Sequence, residues 1–266
     1  MKDEEYQKLK SQPMSIVLAE FRFSEVRKIV DYIPDIQEAL RLNYPVYSEG
    51  QSQSVNISPQ GVAVDRQVSS WTFGTQDESR AIVISDNRLI FFSSDYDRFG
   101  GYENECISAV EILHNIVKPG LLIRIGLRYN DVVHPVKEDD RLNEYVIPEL
   151  CISKNVSMLG SAVIRNRTES SIQTKEGVLT VRSMEGVHSL VTMPDLDKQL
   201  PVKIRDDIPA NSPRLILDFD HIWHASEPGE EFSIDIAKRR LASLHKIARQ
   251  AFWSVTTEFA RKDRWS

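Results

Sequence analysis

Short strand-like runs joined by tight turns are the sequence feature that most constrains the fold of this chain. Asp86-Asn87 separates two such runs, and Asp and Asn favour the tight turns of β-hairpins. Turns of the same kind are indicated at Gly177 and at Gly186 in the second half. Strands joined by so few residues pair antiparallel, because a parallel crossover needs about a dozen residues or more.

Helical periodicity marks three further segments. An apolar stripe from Ile33 to Leu40 indicates a first helix, and a second stripe ends at Val117 before Pro119-Gly120. A third stripe follows the N-cap candidate Ser233 and continues to near Trp265. Helices interleaved with antiparallel hairpins predict an α+β fold rather than a doubly wound parallel sheet.

The length of 266 residues allows one large domain or two closely packed ones. Polar, charged and proline-containing sequence at 137–154 is typical of a linker. The sequence therefore predicts two antiparallel-sheet modules, residues 1–136 and residues 155–266, with the long C-terminal helix packed on the second sheet. Because both halves combine a small sheet with helices, an internal duplication is a further hypothesis, although the halves do not align residue for residue.

The net charge of −6, from 33 basic and 39 acidic residues, disfavours nonspecific attraction to nucleic acid or anionic lipid. Cys106 and Cys151 form neither a C-x-x-C pair nor a disulfide framework, which is typical of a reducing cytoplasm. No apolar window is long enough to span a membrane, and the acidic N-terminal stretch does not match a signal peptide. We therefore expect a cytoplasmic protein without a membrane partner.

Several common catalytic and cofactor motifs do not occur in the sequence. They are the phosphate-binding loop, the dinucleotide-binding glycine motif, the H-E-x-x-H zinc motif and the G-x-S-x-G nucleophile motif. Common nucleotide hydrolases, Rossmann enzymes, zinc proteases and α/β-hydrolases are therefore disfavoured. We predict no cofactor and favour a non-enzymatic role, with enzymatic activity left open.

The strand-like run at 121–133 carries the most informative polar pattern. Side chains alternate between the two faces of a strand, so the run separates into two groups. The apolar group is Leu121, Ile123, Ile125, Leu127 and Tyr129, and the polar group is Arg124, Gly126, Arg128 and Asn130. Guanidinium groups bind phosphate or carboxylate in bidentate fashion, so the sequence predicts an anion-binding site at Arg124, Arg128 and Asn130. The alternative is a half-solvated sheet face whose arginines pair with acidic side chains of a covering helix.

The stretch from Arg124 to Asn130 resembles the R-(I/V)-G-L-R-Y-(I/V)-N signature of a sporadically distributed, uncharacterised bacterial protein family of about this length. The residue that usually precedes the asparagine is absent here. Val17–Phe23 is similar to the opening strand of that family, and His245, Phe252 and Trp265 are similar to its closing helix. The resemblance implies a shared fold and a horizontally mobile distribution, as in phage-defence or toxin–antitoxin neighbourhoods, and it implies no catalytic residues.

A second polar group consists of Asp218, Asp220 and His224, which share one face if the strand that contains them continues to its end. Two carboxylates and an imidazole can bind a divalent metal ion, and paired acids serve metal-assisted phosphoryl chemistry. The alternative function is therefore a metal-dependent phosphodiesterase or nuclease that uses these three residues. Otherwise these side chains cap the strand end or pair with the basic last helix, and the protein holds no metal.

The segment from Phe232 to Ser266 is basic in a chain that is acidic overall, with eight basic residues and three acidic ones. Its positive charge complements an acidic surface. That surface belongs to its own sheet, to a partner protein or to a second copy of the chain. Nucleic acid is disfavoured. We therefore expect a cytoplasmic binding or regulatory protein, of a mobile defence or toxin–antitoxin type, that docks a partner protein, self-associates through this helix or binds an anionic ligand.

Overall fold

The computed structural model describes residues 8–58, 61–160, 163–197, 200–204 and 207–266. Its strands are β1 (Met14–Phe23), β2 (Val46–Ser58), β3 (Gly61–Gly74), β4 (Arg80–Ser85), β5 (Arg88–Ser93), β6 (Leu121–Val133), β7 (Asn166–Gln173), β8 (Val178–His188), β9 (Ser212–His224) and β10 (Glu230–Glu231). Its helices are α1 (Ile29–Leu40), α2 (Phe99–Val117), α3 (Leu142–Tyr145), α4 (Lys154–Ser157), α5 (Pro194–Asp197) and α6 (Ile234–Val255), with a 3-10 turn at Pro148–Leu150 and a π-helical segment at Phe259–Arg264.

The strands of the described residues form one antiparallel sheet of ten strands. Nine of them follow the order β2-β3-β4-β5-β1-β6-β9-β8-β7, and β10 pairs with β6. The two halves of the chain meet where β6 pairs with β9, with Arg128 opposite Asp220. The predicted α+β fold is confirmed. β1 and β6 of the first predicted module lie between β5 and β9, and β9 belongs to the second, so the strands of both modules form one sheet. The module limits at 136 and 155 stay a prediction.

The helices α1, α2 and α6 pack over one face of the sheet and enclose the main core. Phe21 of β1, Leu113 of α2 and Leu244 of α6 are fully buried in this core. The predicted N-cap of α6 is confirmed, since the Ser233 hydroxyl accepts a hydrogen bond from the Ile236 amide at 3.5 Å. The predicted packing of the C-terminal helix on the sheet is also confirmed, because α6 contacts β6 and β9.

The C-terminal helix ends earlier than its periodicity predicts. The Ile147 amide donates to the Val255 carbonyl at 2.8 Å, and the Thr257 amide donates to the Tyr145 carbonyl at 2.9 Å. These bonds occupy backbone groups that would otherwise form the next hydrogen bonds of the helix. A separate π-helical segment therefore follows. The partner residues belong to the stretch predicted as a linker, in which the Tyr145 side chain is fully buried.

The other face of the sheet is crossed by the segment 189–211, as far as the structure describes it. Val202 of this segment packs against Ile16 and Phe92 in a small apolar cluster. Asp195 lies in the same segment, in the short helix α5. We call the described residues of 189–211, which are 189–197, 200–204 and 207–211, the covering segment. On the same face, the side chain of Arg22 near the end of β1 is 41% exposed.

The two glycines predicted to mark turns have different roles. Gly177 does lie in the turn between β7 and β8, where its φ is +146° and its carbonyl accepts from the Thr174 amide at 2.7 Å. The turn predicted at Gly186 is wrong, because β8 continues through this residue to His188. A Cβ atom at Gly186 would lie 2.4 Å from the Ile164 carbonyl oxygen, so the close approach of a backbone explains this glycine.

Gly177→Ala should destabilise the protein by about 1–3 kcal/mol or more, because an L side chain is strained at this φ. The added Cβ would also lie 2.0 Å from the carbonyl oxygen of Ile222 on β9. Gly101→Ala in α2 is the matched control, since its Cβ meets nothing within 4 Å and alanine favours helix by up to about 1 kcal/mol. Urea unfolding of both variants checks this, and equal effects of the two substitutions would contradict the turn geometry.

Candidate functional site

The polar residues predicted on β6 lie on one face of the sheet, opposite the face that the helices cover. β6 pairs with β1 without a break from Arg124 to Asn130, so alternate residues of this stretch share a face. A register shift near the start of β6 interrupts the alternation before this stretch. Leu122, rather than Ile123, is therefore buried in the core. The predicted apolar group holds from Ile125 onward and fails before it.

Arg128 and Asn130 hold acidic side chains of the chain itself. Nε of Arg128 donates to Oδ1 of Asp218 at 2.6 Å, and its two terminal nitrogens donate to Asp195 at 2.8 and 3.1 Å. Nδ2 of Asn130 donates to the same oxygen of Asp218 at 3.0 Å. Asp218 is fully buried, and 9% of the Arg128 side chain is exposed. The hydrogen bond from Arg128 lowers the pKa of Asp195.

Arg124 has a different environment, although it shares the face of Arg128. It forms an ion pair with Glu20 of β1 and leaves 25% of its side chain exposed. It lies opposite Arg22 on one side and His224 on the other. Of the three side chains predicted to bind an anion, Arg124 is the one with substantial exposure.

The three residues of the alternative metal site are also on this face, but their carboxylates contact arginine. Nε of Arg182 lies 3.2 Å from Asp218, and its Nη2 lies 3.1 Å from Asp220. His224 lies four residues further along β9, opposite Arg124. Burial lowers the pKa of His224, and the positive charges of Arg124 and Arg22 add to this shift. Within the described ranges, no group of three His, Cys, Asp or Glu side chains is arranged to hold a metal ion.

The opposite, helix-covered face contains a cavity of about 460 Å³. It lies between β6 and β9 below, the first residues of α2, the second half of α6, and the N-terminal stretch before β1. Its walls are mainly apolar and aromatic. The aromatic residues are Tyr96, Phe99, Tyr129, Phe219, Phe252 and Trp253. Ligand-binding cavities typically enclose about 300–1,000 Å³ and have such walls with a few polar groups.

A tyrosine and a histidine in the lining of the cavity form a hydrogen bond. The Tyr129 hydroxyl and His245 Nδ1 are 2.8 Å apart. Phe99 stacks on the His245 ring at 3.8 Å between centroids, and Tyr96 meets the Tyr129 ring edge to face at 5.9 Å. Burial raises the pKa of Tyr129 well above its usual value and that of Tyr96 to about 12. Both phenols therefore keep their protons at neutral pH and can donate hydrogen bonds.

Asp131 of β6 is a buried acidic residue in the lining of the cavity. Its side chain lines the cavity, and only 2% of the residue is exposed. No described residue donates a hydrogen bond to its carboxyl group. Burial raises the pKa of Asp131 to about 7, and the negative charge of Asp218 adds to this shift. Burial without a hydrogen-bond donor costs a carboxylate free energy, which favours the protonated form of Asp131.

Asp131 was not among the residues predicted from the sequence, although the strand pattern contains a signal for it. The alternation that directs Tyr129 toward the helices directs the residue two positions later to the same side. An acidic side chain on the apolar face of a strand is unusual and points to a polar site within the core.

Comparison with known proteins gives no further guide to function. No protein-family model matches the chain, and no curated protein sequence matches it. The resemblance of the stretch from Arg124 to Asn130 to a bacterial family therefore stays a prediction. None of the described helices is both long and apolar enough to cross a bilayer.

The free energy of unfolding should reveal the ionisation of Asp131. With a pKa of about 7 in the folded state and 3.8 as its usual value, the folded protein binds a proton that the unfolded chain has lost. Stability therefore falls as pH rises between about 4 and 7, by up to about 1.4 kcal/mol per pH unit. Asp131→Asn removes this loss, so its stability relative to the wild type should increase across that range. Urea unfolding at pH 5, 6, 7 and 8 measures the difference, and parallel pH profiles would rule out the raised pKa.

Proposed function

We propose that the protein is a non-enzymatic binding or regulatory protein that holds a small ligand in the cavity between the sheet and α6. The observation that carries this proposal is the buried carboxyl group of Asp131, which lines the cavity without a hydrogen-bond donor from the described residues. A ligand that donates a hydrogen bond to Asp131 would remove the desolvation cost of this group.

The aromatic walls indicate a planar ligand. Aromatic side chains favour offset-stacked or edge-to-face contacts with other rings, and several of them surround the cavity. We infer a heteroaromatic molecule with at least one N–H group directed at Asp131. Lys8 forms an ion pair with Asp97, and both line the cavity. Arg98 also lies in the lining and would accommodate an acidic substituent of such a ligand.

The lining residues support binding more than catalysis. Among the described residues that line the cavity, none is Ser, Thr or Cys, so the common hydroxyl and thiol nucleophiles are missing from this set. His245 already has the Tyr129 hydroxyl at Nδ1. The metal-dependent phosphodiesterase is not favoured, because Arg182 and Arg128 contact the carboxylates that would bind the metal.

Docking of a partner protein or of a second copy through α6 is compatible with this proposal, with one restriction. The apolar stripe of α6, including Leu241 and Leu244, is buried against its own sheet. A partner would therefore meet the outer face of the helix, where the basic residues Lys238, Arg239 and Lys246 are exposed. The defence or toxin–antitoxin setting stays a prediction from the family resemblance.

Thermal melting with adenosine and with guanosine tests the cavity, because both are heteroaromatic and carry N–H donors. A ligand present at 100 times its Kd should stabilise the wild type by about 2.7 kcal/mol. Asp131→Leu, which removes the acceptor, should lose most of this effect, whereas Asp139→Leu, at an exposed acidic residue outside the cavity, should retain it. Toluene donates no hydrogen bond, so it should stabilise the two variants equally. Equal stabilisation of both variants by the nucleosides, or of none of the proteins, would argue against a ligand held by Asp131.

A further inference from the structure

Three arginines and a histidine lie side by side across four neighbouring strands on the sheet face opposite the cavity. Arg22 of β1 is opposite Arg88 of β5 on one side and Arg124 of β6 on the other. Arg124 is in turn opposite His224 of β9. Neighbouring strands are about 4.8 Å apart, so the three guanidinium groups are within reach of one another. We call Arg88, Arg22 and Arg124 the arginine row.

One carboxylate serves the whole arginine row. Glu20 forms ion pairs with all three arginines, at 3.9 Å from Arg22 and 3.8 Å from Arg88, and it also contacts Arg124. No other carboxylate of the described residues forms an ion pair with any of the three. Asp86 and Asp220 act only at longer range, on Arg88 and Arg124 respectively. The ion-paired group therefore has three positive charges and one negative charge.

The hydrogen-bonding capacity of the arginine row is also incompletely used. The Nε atoms of Arg22 and Arg124 are buried and have no hydrogen-bond partner. Burial lowers the pKa of Arg88 and of Arg124, which shows that their charges lack the solvation of a free guanidinium group. Like charges directly opposite each other on neighbouring strands destabilise a sheet. This arrangement has a cost for folding that an anionic ligand would remove.

The arginine row remains accessible from solvent. The side chains of Arg22, Arg88 and Arg124 are 41%, 35% and 25% exposed, and His224 is exposed as well. By contrast, the carboxylate of Asp195, from the covering segment, contacts Arg128 further along β6. Arg128 therefore has its acidic partners within the chain, whereas the arginine row has a surplus of positive charge open to a ligand.

We propose that the arginine row binds the phosphoryl group of a small phosphorylated molecule. A phosphate ester carries a charge of about −1.5 to −2 at neutral pH, which matches the two uncompensated charges of the row. Its three oxygens can accept hydrogen bonds from several guanidinium groups at once, whereas a carboxylate offers two oxygens. The acidic chain as a whole disfavours a long polyanion such as nucleic acid. This site is separate from the cavity, which lies on the other face of the sheet.

Calorimetric titration with inorganic diphosphate tests the proposal, with sodium chloride added to keep the ionic strength constant. The wild type should bind one diphosphate, and Arg22→Gln should weaken the affinity at least tenfold. Arg27→Gln is the matched control, because Arg27 is 88% exposed and lies outside the row, and it should bind as the wild type does. Arg88→Gln is a second test should Arg22→Gln fail to fold. Asp131→Asn should leave diphosphate binding unchanged, so failure of the cavity proposal would not affect this result.

Thermal melting without phosphate provides a second readout. Since Arg22 faces two like charges, Arg22→Gln should melt at the same temperature as the wild type or at a higher one. The proposal is overturned if folded wild type binds no diphosphate at millimolar concentration, or if Arg22→Gln and Arg88→Gln bind it as well as the wild type. Tighter binding of a single-stranded oligonucleotide than of diphosphate, lost in Arg22→Gln, would also overturn it, because the row would then belong to a nucleic-acid surface.

Discussion

The ion pair between Arg128 and Asp218 lies at the junction on which the rest of the structure depends. It joins β6 of the first half of the chain to β9 of the second half, and Asp218 is fully buried. Asn130 and Arg182 also contact this carboxylate, so four side chains from three strands meet there. A buried charge without such partners would be strongly unfavourable, which ties the pairing of the two strands to the formation of this network.

Both candidate sites require the junction between β6 and β9. The cavity takes Tyr129 and Asp131 from β6 and Phe219 from β9. On the other face, Arg124 and His224 are opposite each other in the same pair of strands. Because side chains alternate along β6, one strand supplies an acidic group to the helix-covered face and guanidinium groups to the exposed face. The sheet therefore separates two chemically different surfaces.

Local patterns in the sequence predict α1, α2 and α6, the turn at Gly177 and the alternation from Arg124 to Asn130, because each depends on neighbouring residues. The short helices α3, α4 and α5 were not predicted. Partners that are distant in sequence leave no such pattern. Asp195 and Asp218, for example, lie 67 and 90 residues from Arg128. Strand β2 was not predicted either, since its middle part, residues 48–54, is Ser- and Gln-rich and lacks β-branched and aromatic residues. Its long pairing with β3 defines it. The arginine row could not be predicted from the sequence, because its three residues lie on three different strands. Only the strand register places Arg22 between Arg88 and Arg124.

A double-mutant cycle on Arg128 and Asp218, measured by urea unfolding, tests the junction most directly. Arg128→Met alone leaves Asp218 buried without its main partner and should cost about 3–5 kcal/mol. The double variant Arg128→Met with Asp218→Leu removes both charges, so it should be markedly more stable than the sum of the two single effects predicts. Effects that add within about 0.5 kcal/mol would show that the two side chains do not interact, and would contradict the role assigned to this ion pair.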